Sequence, residues 1–347
     1  MSEKVNDKMI REALAMLVEG KSLSKTQARK VMSEIMEARA TSAQIAAFLT
    51  ALRMKKETVD EITGMAEEMM EKALSFSWDG DVLVDTCGTG GDNLGTFNIS
   101  TTCAFVVAAA GVKVAKHGNR ALSSQCGSAD VLEEMGVRLD LPFHLVKKAL
   151  EEIGIGFLFA PFFHQAMKYA LPARREIGLR TAFNLLGPLT NPLRANVRLM
   201  GVYDPSLLLT LAEVISNLGA ERAFIVRGED GLDEVSVTGK TMVVELKGKK
   251  IISYWVEPED LGINRWPLDQ IKGGDKKVNA RIIYRILEGK EKGAKREIVL
   301  ANSAFCLVGA KVAANFREGI KIAAELIDSG EALKKINQLI EFTRSFS

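Results

Sequence analysis

Two glycine-rich segments concentrate the residue types that do chemistry: DTCGTGGDNLGTFNIS at 85–100 and KHGNRALSSQCGSAD at 116–130. In Gly88-Thr89-Gly90-Gly91 the missing Cβ atoms permit a tight turn whose amide N–H groups can face one ligand, so a phosphate can lie against main chain. Asn98, Ser100, Thr101 and Thr102 add side-chain hydrogen bonds ahead of the apolar run CAFVVAAAG; at a helix start the same groups serve equally to cap free N–H groups. Lys116 and Arg120 flank His117-Gly118-Asn119 with positive charge, and Ser123, Ser124 and Ser128 supply small hydroxyls. Taken one at a time these residues also read as turns, exposed charges and a polar-loop histidine. Together they suit a sugar phosphate or diphosphate better than an apolar metabolite.

Three further positions carry charge or a titratable ring. Asp233 and Glu234, in GLDEVS, are adjacent carboxylates in a segment that reads as an exposed acidic turn. Alone they are ordinary surface residues; facing a diphosphate they would hold a divalent cation completed by phosphate oxygens and water. Arg174 offers a bidentate edge to a carboxylate, or is a solvated helix charge. His164 reads alone as a satisfied, half-buried residue. Cys87, Cys103, Cys126 and Cys306 lack CxxC spacing and read as packing groups of a reduced, cytoplasmic protein.

The elements that must position these groups follow from periodicity. Apolar spacing over Met9–Leu17, starts at Ser24 and at Thr41 or Ser42, and Thr58 with Glu61 three residues on predict four helices within the first 75 residues. VLVD then opens a strand-to-loop alternation continued by GVKVAKHG, ADVLEEMG, FHLVKKALEEIGIGFLFA, LLLTLAEVISNLG and ERAFIVRG, the pattern of an α/β unit. A helical interruption at about 161–193 returns to the first helices. The expected fold is α/β: a small all-helical domain (1–75 plus the returning segment) and a larger α/β domain (76–347, interrupted) with a central, mostly parallel sheet. Ligand loops of such sheets gather beyond the strand carboxyl ends, so distant motifs can share one cleft between the domains.

Composition narrows the function classes. The 347 residues are 47% hydrophobic, enough for a substantial core. Forty-six basic and 44 acidic residues leave a net charge of +2, and no aromatic residues interleave with basic ones, so a nucleic-acid face is not expected. A charged amino terminus without an apolar stretch predicts no signal peptide, and CAFVVAAAG is too short to cross a membrane.

The order DTCGTGGD, FNIST, KHGNR, GSAD, RREIGLRTAFNLLGPLTNP and GLDEVS resembles, over nearly the whole chain, the anthranilate phosphoribosyltransferases of tryptophan biosynthesis. These belong to the superfamily of nucleoside phosphorylases and phosphoribosyltransferases. The resemblance implies transfer of a 5-phosphoribosyl group from phosphoribosyl pyrophosphate to the amine of anthranilate, with Mg²⁺ and commonly as a homodimer through the helical domain. It puts Gly88, Gly91, Asp92, Thr96, Asn98, Ile99, Ser100, Thr101, Lys116, His117, Gly118, Asn119, Arg120, Ala121, Leu122, Ser123, Ser124 and Ser128 at the donor. It puts Gly88, Asn119, His164 and Arg174 at anthranilate, and Ser100, Asp233 and Glu234 at the metal. Lys116, His117 and Asp92 take positioning and electrostatic roles, and no residue is assigned as acid or base. A pyrimidine nucleoside phosphorylase shares a KHGNR-like segment, but GTGGD, FNLLGPLTNP and the acidic pair favour the transferase. A noncatalytic phosphate- or nucleic-acid-binding relative is disfavoured by the acidic pair and Arg174.

Overall fold

A computed structural model describes residues 8–346 apart from 77, 79, 81 and 122–124. Helices α1 (Lys8–Val18), α2 (Lys25–Met36), α3 (Ser42–Lys55) and α4 (Val59–Glu71) occupy the amino-terminal part. Ser24, Thr41 and Thr58 each cap a helix, and Gln27, Gln44 and Glu61 at the third helical position reach back to close a capping box. Glu61 is fully buried because it also accepts from the Leu23 N–H and from Lys55 Nζ, binding three helix ends at one carboxylate. The neighbouring Glu34 accepts the free Met9 and Ile10 N–H groups at the start of α1.

Strand β1 (Leu83–Asp85) begins the sheet and leads through the glycine-rich loop into α5 (Ile99–Ala109). There follow β2 (Lys113–Gly118), α6 (Ser128–Met135), α7 (Phe143–Glu152) and β3 (Ile155–Phe159). The returning segment is three short helices, α8 (Ala160–Phe163), α9 (Leu171–Ile177) and α10 (Ala182–Leu189), broken by a 3₁₀ turn and by the left-handed Gly178. Then come β4 (Val197–Gly201), α11 (Leu208–Asn217), β5 (Arg222–Gly228), β6 (Thr241–Lys247), β7 (Lys250–Val256) and the carboxyl-terminal helices α12 (Pro258–Leu261), α13 (Lys276–Leu287), α14 (Ala294–Gly309), α15 (Phe316–Asp328) and α16 (Glu331–Arg344).

The seven strands lie in the order β3-β2-β1-β4-β5-β6-β7. Strands β1 to β5 pair in parallel, and β6 and β7 add an antiparallel hairpin that the motif pattern did not announce. The central strands are buried on both faces, with side chains alternating between two cores. In β5, Phe224 and Val226 join the core under α5 and α14, whereas Ala223 and Ile225 join a second core. That second core is continuous from the amino-terminal helices through Ala173, Phe183 and Leu186 to α11 and the sheet. The returning segment therefore packs on the amino-terminal helices and the sheet together. Strand order reverses between β1 and β4, and a crevice opens at such a reversal beyond the strand carboxyl ends.

Candidate active site

The loops after β1 and β2, the returning segment and the loop after β5 surround one cavity of about 620 Å³. Every described residue that the family resemblance places at the site borders it, from Gly88 in the first loop to Glu234 in the last; Thr102, also named from the sequence, is buried away from it, its hydroxyl donating to Asn98 O. Leu122, Ser123 and Ser124 lie outside the described residues.

The first loop is stitched to the end of β4. The Thr89 N–H donates to Gly201 O (2.9 Å), and the Tyr203 N–H donates back to Thr89 Oγ1 (3.3 Å). Gly90 and Gly91 have φ of +59° and +89°, which L side chains rarely adopt. A Cβ on Gly91 would overlap the Arg180 guanidinium. Asn98 precedes α5, yet its side chain caps nothing there; it donates to Cys126 O and accepts from Asn279 Nδ2, joining two loops across the rim. The capping alternative fails at Asn98 because its amide is committed to those two loops.

Lys116 is buried rather than an exposed charge. Its Nζ donates to Thr86 O (2.9 Å), Thr86 Oγ1 (3.2 Å) and Ser100 Oγ (3.4 Å), which places the cation beneath the start of α5. Below it, Asp85 accepts from the His117 N–H and from Asn191 Nδ2, and Asn191 also donates to Ala115 O. Burial raises the Asp85 carboxyl above the usual carboxylate range, against the opposing pull of Lys116. This buried clip locks the ends of β1 and β2 to the exit of the returning segment. Arg120 reaches Glu133 (2.8 Å) and Asp130 (3.2 Å) on α6, so its charge is already matched.

The acidic pair is half-buried against the cavity, correcting its reading as an exposed turn. Two anchors hold it: Asp230 accepts from the Leu232 N–H and Ser236 Oγ, and Asn302 on α14 takes both the N–H and the carbonyl of Val235. Burial, then repulsion from Asp92, pushes the Asp233 carboxyl up to about 7; burial and Asp233 raise Glu234 well above the usual range. Asp92 Oδ2 is buried without a partner. Among the described residues no group of three or more His, Cys, Asp or Glu side chains converges on one metal position. Carboxylates that repel one another, with an orphaned oxygen beside them, fit a divalent cation whose remaining ligands come from a phosphate.

The other part of the wall is built from the returning segment. Arg174 has no hydrogen-bond or carboxylate partner among the described residues; its guanidinium lies 5.6 Å from the Phe183 ring centre, and burial lowers its pKa. An unpaired guanidinium in such a place has the chemistry to receive a carboxylate. His117 and His164 are buried with ring centres 5.2 Å apart. His117 Nδ1 meets Gly187 O and His164 Nε2 meets Thr190 O, while the other nitrogen of each ring has no partner. Burial pushes His117 down to about 4 and His164 to about 3, so both rings are neutral at pH 7. His117 is thus not the loop-filling residue that the sequence allowed, and His164, read as satisfied and half-buried, is fully buried with one ring nitrogen bonded and the other without a partner.

Arg180 escaped the sequence reading. It stands between α9 and α10, donates to Thr89 O and Gly90 O, and stacks 4.2 Å from the Tyr203 ring centre. A lone arginine ninety residues from its partners leaves no local signal; only RREIGLRT as a block pointed near it.

Comparison with known proteins agrees with this architecture. Residues 11–73 match the helical bundle domain of a glycosyl transferase family and residues 80–333 match its a/b domain. The anthranilate phosphoribosyltransferase of Acetivibrio thermocellus is 50% identical over 338 residues, covering 97% of this chain and 98% of that protein. The crystal structure of the Thermus thermophilus enzyme superposes with a TM-score of 0.91 at 42% identity, covering 96% of this chain and 99% of its own. The Saccharomyces cerevisiae enzyme in complex with PRPP and Mg gives a TM-score of 0.91 at 29% identity, covering 99% and 100%, and that enzyme is also known in complex with 4-fluoroanthranilate. With half of its residues identical to such a relative along nearly the full length, the chain belongs to the anthranilate phosphoribosyltransferase family.

Proposed function

We propose that the cavity seats phosphoribosyl pyrophosphate on the loops after β1 and β2 and anthranilate against the returning segment. The enzyme transfers the phosphoribosyl group from that donor to the anthranilate amine, releasing pyrophosphate. The observation that carries the division of the site is the unpaired Arg174 guanidinium, which borders the same cavity as the glycine loop and the acidic pair.

In this reading Gly88, Gly91 and Asp92 of the turn, with Asn98, Ser100, Thr101, Asn119 and Ser128, hold the phosphates and ribose. Asp233, Glu234 and Ser100 would hold Mg²⁺, which when bound supplies charge neutralisation to the diphosphate. Lys116, beneath Ser100, adds fixed positive potential there. Cleavage of the bond from the ribosyl carbon to the diphosphate oxygen leaves the electron pair on pyrophosphate. The amine lone pair forms the new C–N bond, and the amine then loses its proton to the departing pyrophosphate or to solvent. Holding donor and acceptor across one enclosed cavity lowers the entropic cost of meeting and limits attack by water. Neutral His117 and His164 are not acids at pH 7: each gives its single N–H to the carbonyl it meets and keeps its other nitrogen buried beside the acceptor side.

The test follows anthranilate fluorescence with donor and Mg²⁺ present. Wild type should consume anthranilate with matching pyrophosphate release. Arg174→Ala should raise the anthranilate KM by about 10²-fold, the worth of a desolvated charge-assisted contact, with the donor KM little changed. An unchanged anthranilate KM in the folded variant would remove Arg174 from the acceptor site.

The division into a helical unit (1–75 with 161–193) and an α/β unit belongs to the same proposal, as does a homodimer through the helices. Val18 is 75% and Met54 81% exposed, and Lys55 at the end of α3 donates to Ser22, in the segment that follows α1. The double variant Val18→Glu/Met54→Glu should sediment as a monomer where wild type sediments as a dimer; a dimer that survives the change places the interface elsewhere. No helix among the described residues is long and apolar enough to cross a membrane, and the four cysteines are unpaired, which supports a cytoplasmic setting.

A further inference from the structure

Arg180 Nη2 donates to Thr89 O at 3.0 Å and to Gly90 O at 2.8 Å. Within a trans peptide unit the carbonyl and the following N–H point in opposite directions. Two carbonyls drawn to one guanidinium therefore turn the N–H groups of Gly90 and Gly91 away from it, and the Gly90 N–H reaches the Asp233 carboxylate. The positive φ at both glycines is what allows successive carbonyls to converge in this way. The guanidinium plane rests on the Tyr203 ring, Nε is buried without a partner, and no carboxylate pairs with Arg180 among the described residues. Gly91 has no Cβ, and one there would occupy the space of the guanidinium.

The surroundings add a second connection. Arg180 lies in the link between α9, which carries Arg174, and α10, whose Gly187 carbonyl meets His117. One side chain thus joins the segment of the acceptor side to the loop of the donor side. We propose that Arg180 is a positioning residue for the phosphoribosyl donor: by gathering the Thr89 and Gly90 carbonyls it aims the Gly91 N–H at the diphosphate and leaves the Gly90 N–H to the Asp233 carboxylate. This rests on the donor-site reading given above. The residue acts through the loop and is not itself a group on the reacting atoms.

The experiment measures donor binding directly, by calorimetry with phosphoribosyl pyrophosphate and Mg²⁺ in the absence of anthranilate, alongside KM values for both substrates. Arg180→Ala should weaken donor binding and raise the donor KM by about 10- to 100-fold, as loss of two charge-assisted hydrogen bonds implies, with the anthranilate KM moved less than about threefold. Millimolar guanidinium chloride should restore part of the donor affinity of Arg180→Ala, which a merely structural residue would not show. Arg180→Lys should fall between, because an ammonium can donate but cannot stack as a plane on Tyr203. Arg180→Gln, which keeps part of the stem over Tyr203, carries the same expectation if the alanine variant folds poorly. Wild-type donor affinity in a folded Arg180 variant, or an equal rise in both KM values, would overturn the proposal. Because calorimetry does not depend on turnover, failure of wild type to consume anthranilate strikes the functional reading and leaves this result standing.

Discussion

Asp233→Asn combined with Glu234→Gln is expected to lower kcat/KM for the donor by about 10³-fold at saturating Mg²⁺ and to abolish the response to added metal. The two side chains keep their size and their places on the loop held by Asp230 and Asn302, so the loss is one of charge. The same variant should unfold at a higher temperature than wild type at pH 8. A carboxyl whose folded-state pKa stands at about 7 rather than 3.8 costs stability as pH rises through that interval, and Asn and Gln carry no such cost. Lower turnover with higher thermal stability is the signature of a charge cluster kept for chemistry. Turnover with wild-type metal dependence in the double variant would rule out the pair as the metal site.

Gly201→Ala tests the same site from the scaffold. Gly201 ends β4, and a Cβ there would overlap the Asp233 carbonyl, while the Gly88 position lies against the Gly201 backbone from the other side. Backbone meets backbone at both contacts, so no rotamer can relieve the strain. The expected result is a loss of about 1–3 kcal/mol of stability and a fall in turnover of about 10²-fold, the scale of an ångström-sized displacement at a reacting centre. Thermal unfolding and steady-state kinetics read the two effects separately. A variant with wild-type Tm and turnover would show that the two loops yield more easily than their packing indicates.

Sequence patterns revealed much of this because several of the controlling interactions are local. Thr58 and Glu61 announce α4 from three residues apart, and the alternation of VLVD, GVKVAKHG and IGFLF matches β1, β2 and β3. The two glycine-rich loops were visible because glycines, hydroxyls and charges crowd into short runs. What stayed hidden depends on distant partners. Lys116 looked like any basic residue until the Thr86 carbonyl and Ser100 hydroxyl closed over it. The burial of Asp233 follows from α14 and the end of β4, neither readable from GLDEVS. The hairpin β6–β7 was obscured by the lysines of its turn and by an outer strand that leaves Ile252 and Trp255 exposed.

The core shared by the amino-terminal helices and the returning segment bears on how the chain is made. Roughly 110 residues separate the end of α4 at Glu71 from the start of α10 at Ala182. At a synthesis rate of roughly 5–20 residues per second that interval lasts roughly 5–20 s. Through it the nascent helices hold Met65, Met69 and Met70 toward partners that have not yet emerged, since the core they complete includes Phe183, Leu186 and Leu211. The first-made part of this protein is therefore among the last to finish folding, and it passes the interval as an apolar surface exposed to the cell's chaperones.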